Sequence, residues 1–368
     1  MRIKLNKNET LVNFGNSILS NYECETFHKT YQNLDEILKT HKNKKVCLIL
    51  LDGFGKAIIE KYKENCPFIY KHSCFTFYST YPPTTVAATN ALLLAKYPCE
   101  TGFVGWSQYF KEHDQIIDVF PSVNSLTRER VSPHVCDTIL KENNIVEIIN
   151  KNNKYKAQQL MGFNYLKENH EYDLQALFNA ADTTLNDFDF TYIYSSEPDH
   201  AMHDYGVINE HVKNKVIELD KLIENLTEKH KDTLFLIIAD HGMIDTTPVF
   251  IDDIPGFKES IYNEIPLFEG RFAGFFVKNE ENFLSAYYSF LESNFILMSK
   301  KEILENNVFG YSTNYKKTFI DGMADYYLIS KTDACFARGR DYLIGNHAGG
   351  TQEEIEINLS VINYEKRP

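Results

Sequence analysis

Three short, continuously apolar runs limit the fold more than any other feature: Val46–Leu51, Tyr192–Tyr194 and Leu234–Ala239. A strand with one wet face alternates apolar and polar residues. A run that is apolar at every position reads as a strand buried on both faces of a parallel sheet. Each run gives way to polar residues: Asp52-Gly53, Glu197-Pro198-Asp199 and Asp240-His241-Gly242. Between the last two runs, Ile208, Val212, Val216, Leu219, Ile223 and Leu226 recur in steps of four and three, which marks a long amphipathic helix. Alternating strands and helices predict an α/β fold, a mostly parallel central sheet with helices on both faces. In such sheets, ligands bind beyond the carboxyl ends of the strands.

The chain has 368 residues, enough for a large α/β domain with an insertion. Residues 1–45 read as an N-terminal arm packed on the core, with a helical pattern at Leu34, Ile37 and Leu38. Lys42-Asn43-Lys44-Lys45 reads as a solvated charge cluster. Residues 46–264 and 341–368 form the predicted core, with Phe75–Tyr78 as another strand and helical patterns near 136–150 and 172–181. Residues 265–340 read differently: a strand over Arg271–Val277, a helix over 280–293 and a strand over Tyr326–Ser330. This is a small α+β insertion, expected near the site as a wall of its pocket.

The net charge of −13 argues against a nucleic-acid partner, which needs a basic surface. Seven scattered cysteines, with no C-x-x-C pair, fit a reducing, cytoplasmic setting. No N-terminal apolar stretch reads as a signal peptide, and no apolar run reaches the roughly 18–20 residues that span a bilayer, so no membrane partner is expected.

Tyr81-Pro82-Pro83-Thr84-Thr85-Val86 ends an extended segment and opens a short apolar helix that Tyr97-Pro98 closes. Thr85 falls at the helix start, where unpaired N–H groups and the positive dipole end suit a phosphate or an activated hydroxyl. Helix capping is the ordinary reason for a threonine there, and Thr84 stands one residue away. Asp199 and His203, four apart, share a helical face and are a candidate metal pair; His200 and Asp204 are a second pair that spacing does not exclude. Asp240 and His241 end the strongest strand, and Gly242 allows the turn that brings both to one ion. His347 lies in the glycine-rich loop Gly345-Asn346-His347-Ala348-Gly349-Gly350. Three Asp, three His and one Thr at strand ends suit two divalent metals with mixed O and N ligands. Two ions about 3.5–4 Å apart can hold both oxygens of an in-line phosphoryl displacement.

The order Asp52, Thr85, Asp199-x-x-x-His203, Asp240-His241, His347 resembles the alkaline phosphatase superfamily, and within it the nucleotide pyrophosphatase/phosphodiesterase branch. Glu197-Pro198-Asp199-x-x-x-His203-x-x-Gly206 and Ala239-Asp240-His241-Gly242-Met243 are the most specific strings. The resemblance implies one metal on Asp52, Thr85, Asp240 and His241, and another on Asp199, His203 and His347. It therefore favours His203 over His200. Zinc is the first choice, with manganese or iron as substitutes. It also implies a covalent phosphate on Thr85, later hydrolysed. The implied activity is cleavage of phosphodiester or pyrophosphate bonds in nucleotides or related small molecules. The alternatives are a phosphomonoesterase or phosphonate hydrolase of the same superfamily, or a non-catalytic metal-binding relative. Two departures stand out. Trp106 occupies the position where the family's phosphodiesterases often carry an asparagine, and is a candidate substrate-binding residue. The residues after Thr85 are Val-Ala-Ala-Thr rather than Phe-Pro-Asn-His.

Overall fold

The computed structural model describes residues 7–41, 45–339 and 342–363. Residues 42–44 of the charge cluster read at Lys42–Lys45, and the first residues of the N-terminal arm, lie outside them.

The central sheet has six strands, in the order 73–78, 356–362, 233–238, 45–51, 190–195, 157–161. Lys45–Leu51 lies between Phe190–Ser195 and Thr233–Ile238 and pairs with both in parallel. Ala157–Met161 extends the parallel array, whereas Glu356–Ile362 runs antiparallel to both of its neighbours. The three apolar runs are thus the inner, doubly covered strands, and every residue of Phe190–Ser195 and Thr233–Ile238 is buried. Leu11, Phe14 and Ile18 of the helix Leu11–Asn21 and Leu34 and Ile37 of the helix Gln32–Thr40 join the same core.

The long helix spans Glu210–Lys229 and buries Val212, Val216, Leu219, Ile223 and Leu226 against the sheet. Ile208, expected on that face, is 72% exposed. It precedes the helix: Asn209 is the cap, and its side chain accepts from the His211 N–H. The pattern expected near 136–150 gives a helix only over Ile145–Lys151, preceded by a single tight turn at Val135–Asp137. The helix expected over 280–293 is α-helical over Glu280–Ala286 and widens into a π turn over Tyr287–Leu291.

A second sheet of seven strands is antiparallel throughout. Phe272–Phe275, Phe295–Ser299 and Tyr326–Ser330 come from the stretch read as an insertion. Ser107–Phe110, Gln115–Asp118 and Val123–Asn124, assigned to the core from sequence, pair here instead. The junction is one register pair, Phe268 with Ser107. The second sheet is therefore built from two distant stretches of chain, and is larger than the expected insertion. Arg271, fully buried, ties it to the main body. Its guanidinium donates from Nε and Nη2 to the two carboxylate oxygens of Glu354 at 2.7 and 2.9 Å, and from Nη1 to Ser330 and the Ala334 carbonyl. Among the described residues, no helix is long and apolar enough to cross a membrane.

Candidate active site

The strand Lys45–Leu51 ends by delivering Asp52 to the sheet edge, and Gly53 turns the chain away with φ +69°. A Cβ at Gly53 would lie 2.8 Å from Asp199 Oδ1, so the close approach of the two strand ends requires glycine. Gly242 has the same role at the next strand end, where a Cβ would meet the Glu353 carbonyl at 2.0 Å. Asp199 opens the helix Asp199–Tyr205, one turn before His203. Thr85 is the first residue of the helix Thr85–Leu94. Thr84 holds the cap position, but its hydroxyl does not cap; it donates to Glu269 Oε1 at 2.5 Å. The ordinary capping role therefore belongs to neither hydroxyl.

These elements bring together all seven residues read as ligands or nucleophile. Thr85 Oγ1 lies 3.1 Å from His241 Nε2 and 3.3 Å from Asp52 Oδ1. His241 Nε2 is also 3.3 Å from Asp52 and 3.4 Å from Asp240. His203 Nε2 is 3.2 Å from Asp199 Oδ2. The His347 ring centroid lies 5.2 Å from that of His203 and 3.9 Å from that of His241. The rival pair stays outside the buried cluster: His200 is exposed at the cleft, packed edge-on against Tyr172, and Asp204 is exposed as well.

Two groups of ligand atoms each fall within 4.8 Å: Asp199, His203 and His347, and Asp52, Asp199 and His241. Asp199 belongs to both, so the groups are contiguous. The donor set fits cations. Asp199 Oδ1, Asp240 Oδ2 and His347 Nδ1 are buried with no hydrogen-bond partner, a costly state unless a ligand satisfies them. Backbone carbonyls only accept, so His203 Nδ1, 2.7 Å from the Gly345 carbonyl, and His241 Nδ1, 3.0 Å from that of Gly242, carry the proton. Nε2 of each is then the atom turned toward the carboxylates, where a cation can take the place of a proton, the arrangement that orients a histidine on a metal.

Electrostatics point the same way. Burial, then the charges of Asp240 and Asp199, push the Asp52 carboxyl well above the usual carboxylate range. Burial and the Asp199 charge push Asp240 up to about 7. Burial would also raise Asp199, but the charge and hydrogen bond of His203 hold it well below its usual range. Burial would lower His203, and Asp199 instead raises it to about 9. Burial and the neighbouring His241 lower His347. Three carboxyls crowded in a dry site are a state that divalent cations relieve.

Thr85, Asp52 and His203 open onto a cleft of about 540 Å³, and residues 266, 269–270 and 335–338 of the second body form part of its wall. Trp106 also lines it. It is 37% exposed and meets Phe120 edge-on at 6.1 Å, so it is not a core anchor. Three polar residues in this site went unread in the sequence. Tyr194 donates its hydroxyl to Asp52 Oδ2 at 2.5 Å and fixes that carboxylate; its place at the end of an apolar strand was a usable signal. Glu269 and Arg338 carry no local pattern that marks them, and Arg338 is the sole Lys or Arg among the described cleft residues.

Residues 46–287 match the family model for type I phosphodiesterase / nucleotide pyrophosphatase. Among solved structures, murine ectonucleotide pyrophosphatase/phosphodiesterase 5 is similar at 15% identity and TM-score 0.63, over 86% of this chain and 87% of that one. An inactive form of the murine protein, with a threonine-to-alanine substitution and in complex with AMP, gives 0.64 at the same identity and coverage. The human protein gives 0.65 at 15% identity, over 88% of this chain and 91% of that one. Comparison with curated proteins yields no match. At this identity the solved structures show the fold.

Proposed function

The chain belongs to the type I phosphodiesterase / nucleotide pyrophosphatase family, hydrolases of phosphorus esters within the alkaline phosphatase superfamily, and from that premise we propose that it cleaves phosphodiester or pyrophosphate bonds of nucleotides or related small molecules through a phosphothreonine at Thr85. The observation that carries this reading is the Thr85 hydroxyl at a helix start, 3.1 Å from His241 and 3.3 Å from Asp52, beside buried Asp and His atoms that lack partners. In this reading Asp52, Thr85, Asp240 and His241 hold one divalent ion, and Asp199, His203 and His347 hold the other. Zinc is preferred for this N/O set, with manganese or iron able to replace it. Bound there, the two ions would supply positive charge that favours the Thr85 alkoxide and offsets the charge that develops on the phosphoryl group.

The residues themselves do the rest. Thr85 Oγ loses its proton to solvent, attacks phosphorus and forms a new P–O bond while the bond to the leaving oxygen breaks in line and that oxygen leaves as an anion or takes a proton from water. The unpaired N–H groups of the first helical turn face the phosphoryl oxygens. Tyr194 keeps Asp52 oriented toward Thr85. Water then attacks the phosphothreonine and returns the Thr85 hydroxyl. Trp106 lies along the cleft wall, where a flat ring can pack on the ester group or a base. The murine relative in complex with AMP, made inactive by a threonine-to-alanine substitution, supports both the substrate class and the threonine. Seven free cysteines, four of them buried, support a reducing, cytoplasmic setting.

Chelation tests the metal part of this reading. Turnover of bis-p-nitrophenyl phosphate, or of a thymidine monophosphate p-nitrophenyl ester, should disappear on chelator treatment and return with added zinc or manganese. Anomalous scattering should then place ions at both ligand groups. Turnover indifferent to chelation contradicts the reading.

A further inference from the structure

Glu269 follows the short strand Leu267–Phe268 of the second sheet and lines the same cleft as Thr85, Asp52 and His203. Its Oε1 accepts two hydrogen bonds, from Thr84 Oγ1 at 2.5 Å and from the Trp106 backbone N–H at 2.9 Å. Thr84 immediately precedes Thr85, so the carboxyl is fixed one residue from the reacting hydroxyl. No described residue bonds its Oε2, and Glu269 is half-buried where it lines the cleft. Both contacts at Oε1 are donations into the carboxyl, which leaves Oε2 outside them. Burial raises its pKa overall, outweighing the bonds from Thr84 and Trp106 and the charge of Arg338. Asp52 and Asp199 line the same space, and Arg338 is its one fixed cation among the described residues.

Resting on the reading of Thr85 as nucleophile, we infer that Glu269 sets the charge of the phosphoryl group the site accepts, admitting a phosphodiester monoanion and disfavouring a phosphomonoester dianion. The two substrates differ by one anionic oxygen. A diester replaces it with a neutral ester oxygen. A monoester, above its second pKa of about 6, carries one more negative charge into the cleft that Glu269 lines. Like charges in a partly dry cleft repel, and specificity follows from the difference between the two substrates.

Glu269→Gln separates charge from position. The Gln carbonyl still accepts from Thr84 and Trp106, so the link between the two bodies is kept while the charge is lost. The measurements are kcat/KM for p-nitrophenyl phosphate and bis-p-nitrophenyl phosphate at about pH 8, where the monoester is a dianion. In parallel, calorimetry gives the Kd of inorganic phosphate and of dimethyl phosphate. The substitution should raise the monoester-to-diester ratio by about tenfold or more and tighten inorganic phosphate, with dimethyl phosphate changed by less than about twofold. An unchanged ratio, or an equal fall for both substrates as a purely positional carboxyl would give, overturns the inference. If the wild-type protein turns over neither ester, the phosphodiesterase reading fails. The contrast between phosphate and dimethyl phosphate binding still decides the role of Glu269.

Discussion

Trp106 shows how much a single residue's surroundings decide. Its backbone N–H is held by Glu269 while its ring faces the cleft beside Phe120. A ring 37% exposed has little packing to lose, so Trp106→Ala should cost about 1 kcal/mol of stability rather than the ~3–5 of a buried aromatic. KM for aromatic esters should rise about tenfold, with methyl phosphate esters little changed. Thermal unfolding and kinetics on the two ester types check this; equal losses on both would remove the ring from substrate contact. The Asp and His residues that meet at the cleft were legible as a set because strand ends are marked twice, by an apolar run that stops and by the Asp or His that follows. Asp52, Asp199 and Asp240 all carry that mark. Glu269 does not: it sits in Phe268-Glu269-Gly270, and only a tertiary hydrogen bond to Thr84 reveals it.

Elements were legible where their pattern is local. The helix Glu210–Lys229 follows its apolar spacing, and only its start was misjudged, because the Asn209 cap outweighs the apolar character of Ile208. The second sheet was only half legible. Its strands from 107–124 meet those from 267–330 through pairing far apart in sequence, and neither stretch records its partner. The Arg271–Glu354 pair carries a comparable long-range tie. Glu354 also accepts from the Gly349 and Thr351 N–H groups, so it holds the loop that bears His347. Arg271→Ala should destabilise the protein by about 3–5 kcal/mol, because it strands a buried carboxylate. Arg271→Lys should recover part of that but not the two-pronged geometry. Denaturant titration of both variants, together with metal content, tests this. A variant with wild-type stability and metal binding would show that the pair does not hold the loop.

At the scale of the molecule, the parallel core was legible because a strand covered on both faces has no polar positions to obscure it. The strand Glu356–Ile362 was not picked out, although Ile357, Leu359 and Val361 alternate along it. It runs against both neighbours and completes the sheet between 73–78 and 233–238. The resulting body sets three strand ends and one helix start around a common point, and the second sheet closes one side of the cleft. On the proposed reading, this architecture places Thr85 to carry a phosphoryl group. Quenching the enzyme in acid during turnover of bis-p-nitrophenyl phosphate and mapping the phosphopeptides by mass spectrometry tests that claim most directly. One phosphoryl group is expected on Thr85, none on Thr84, and neither phosphopeptide nor turnover in Thr85→Ala. A phosphoryl group on any other residue, or wild-type turnover in Thr85→Ala, would contradict it.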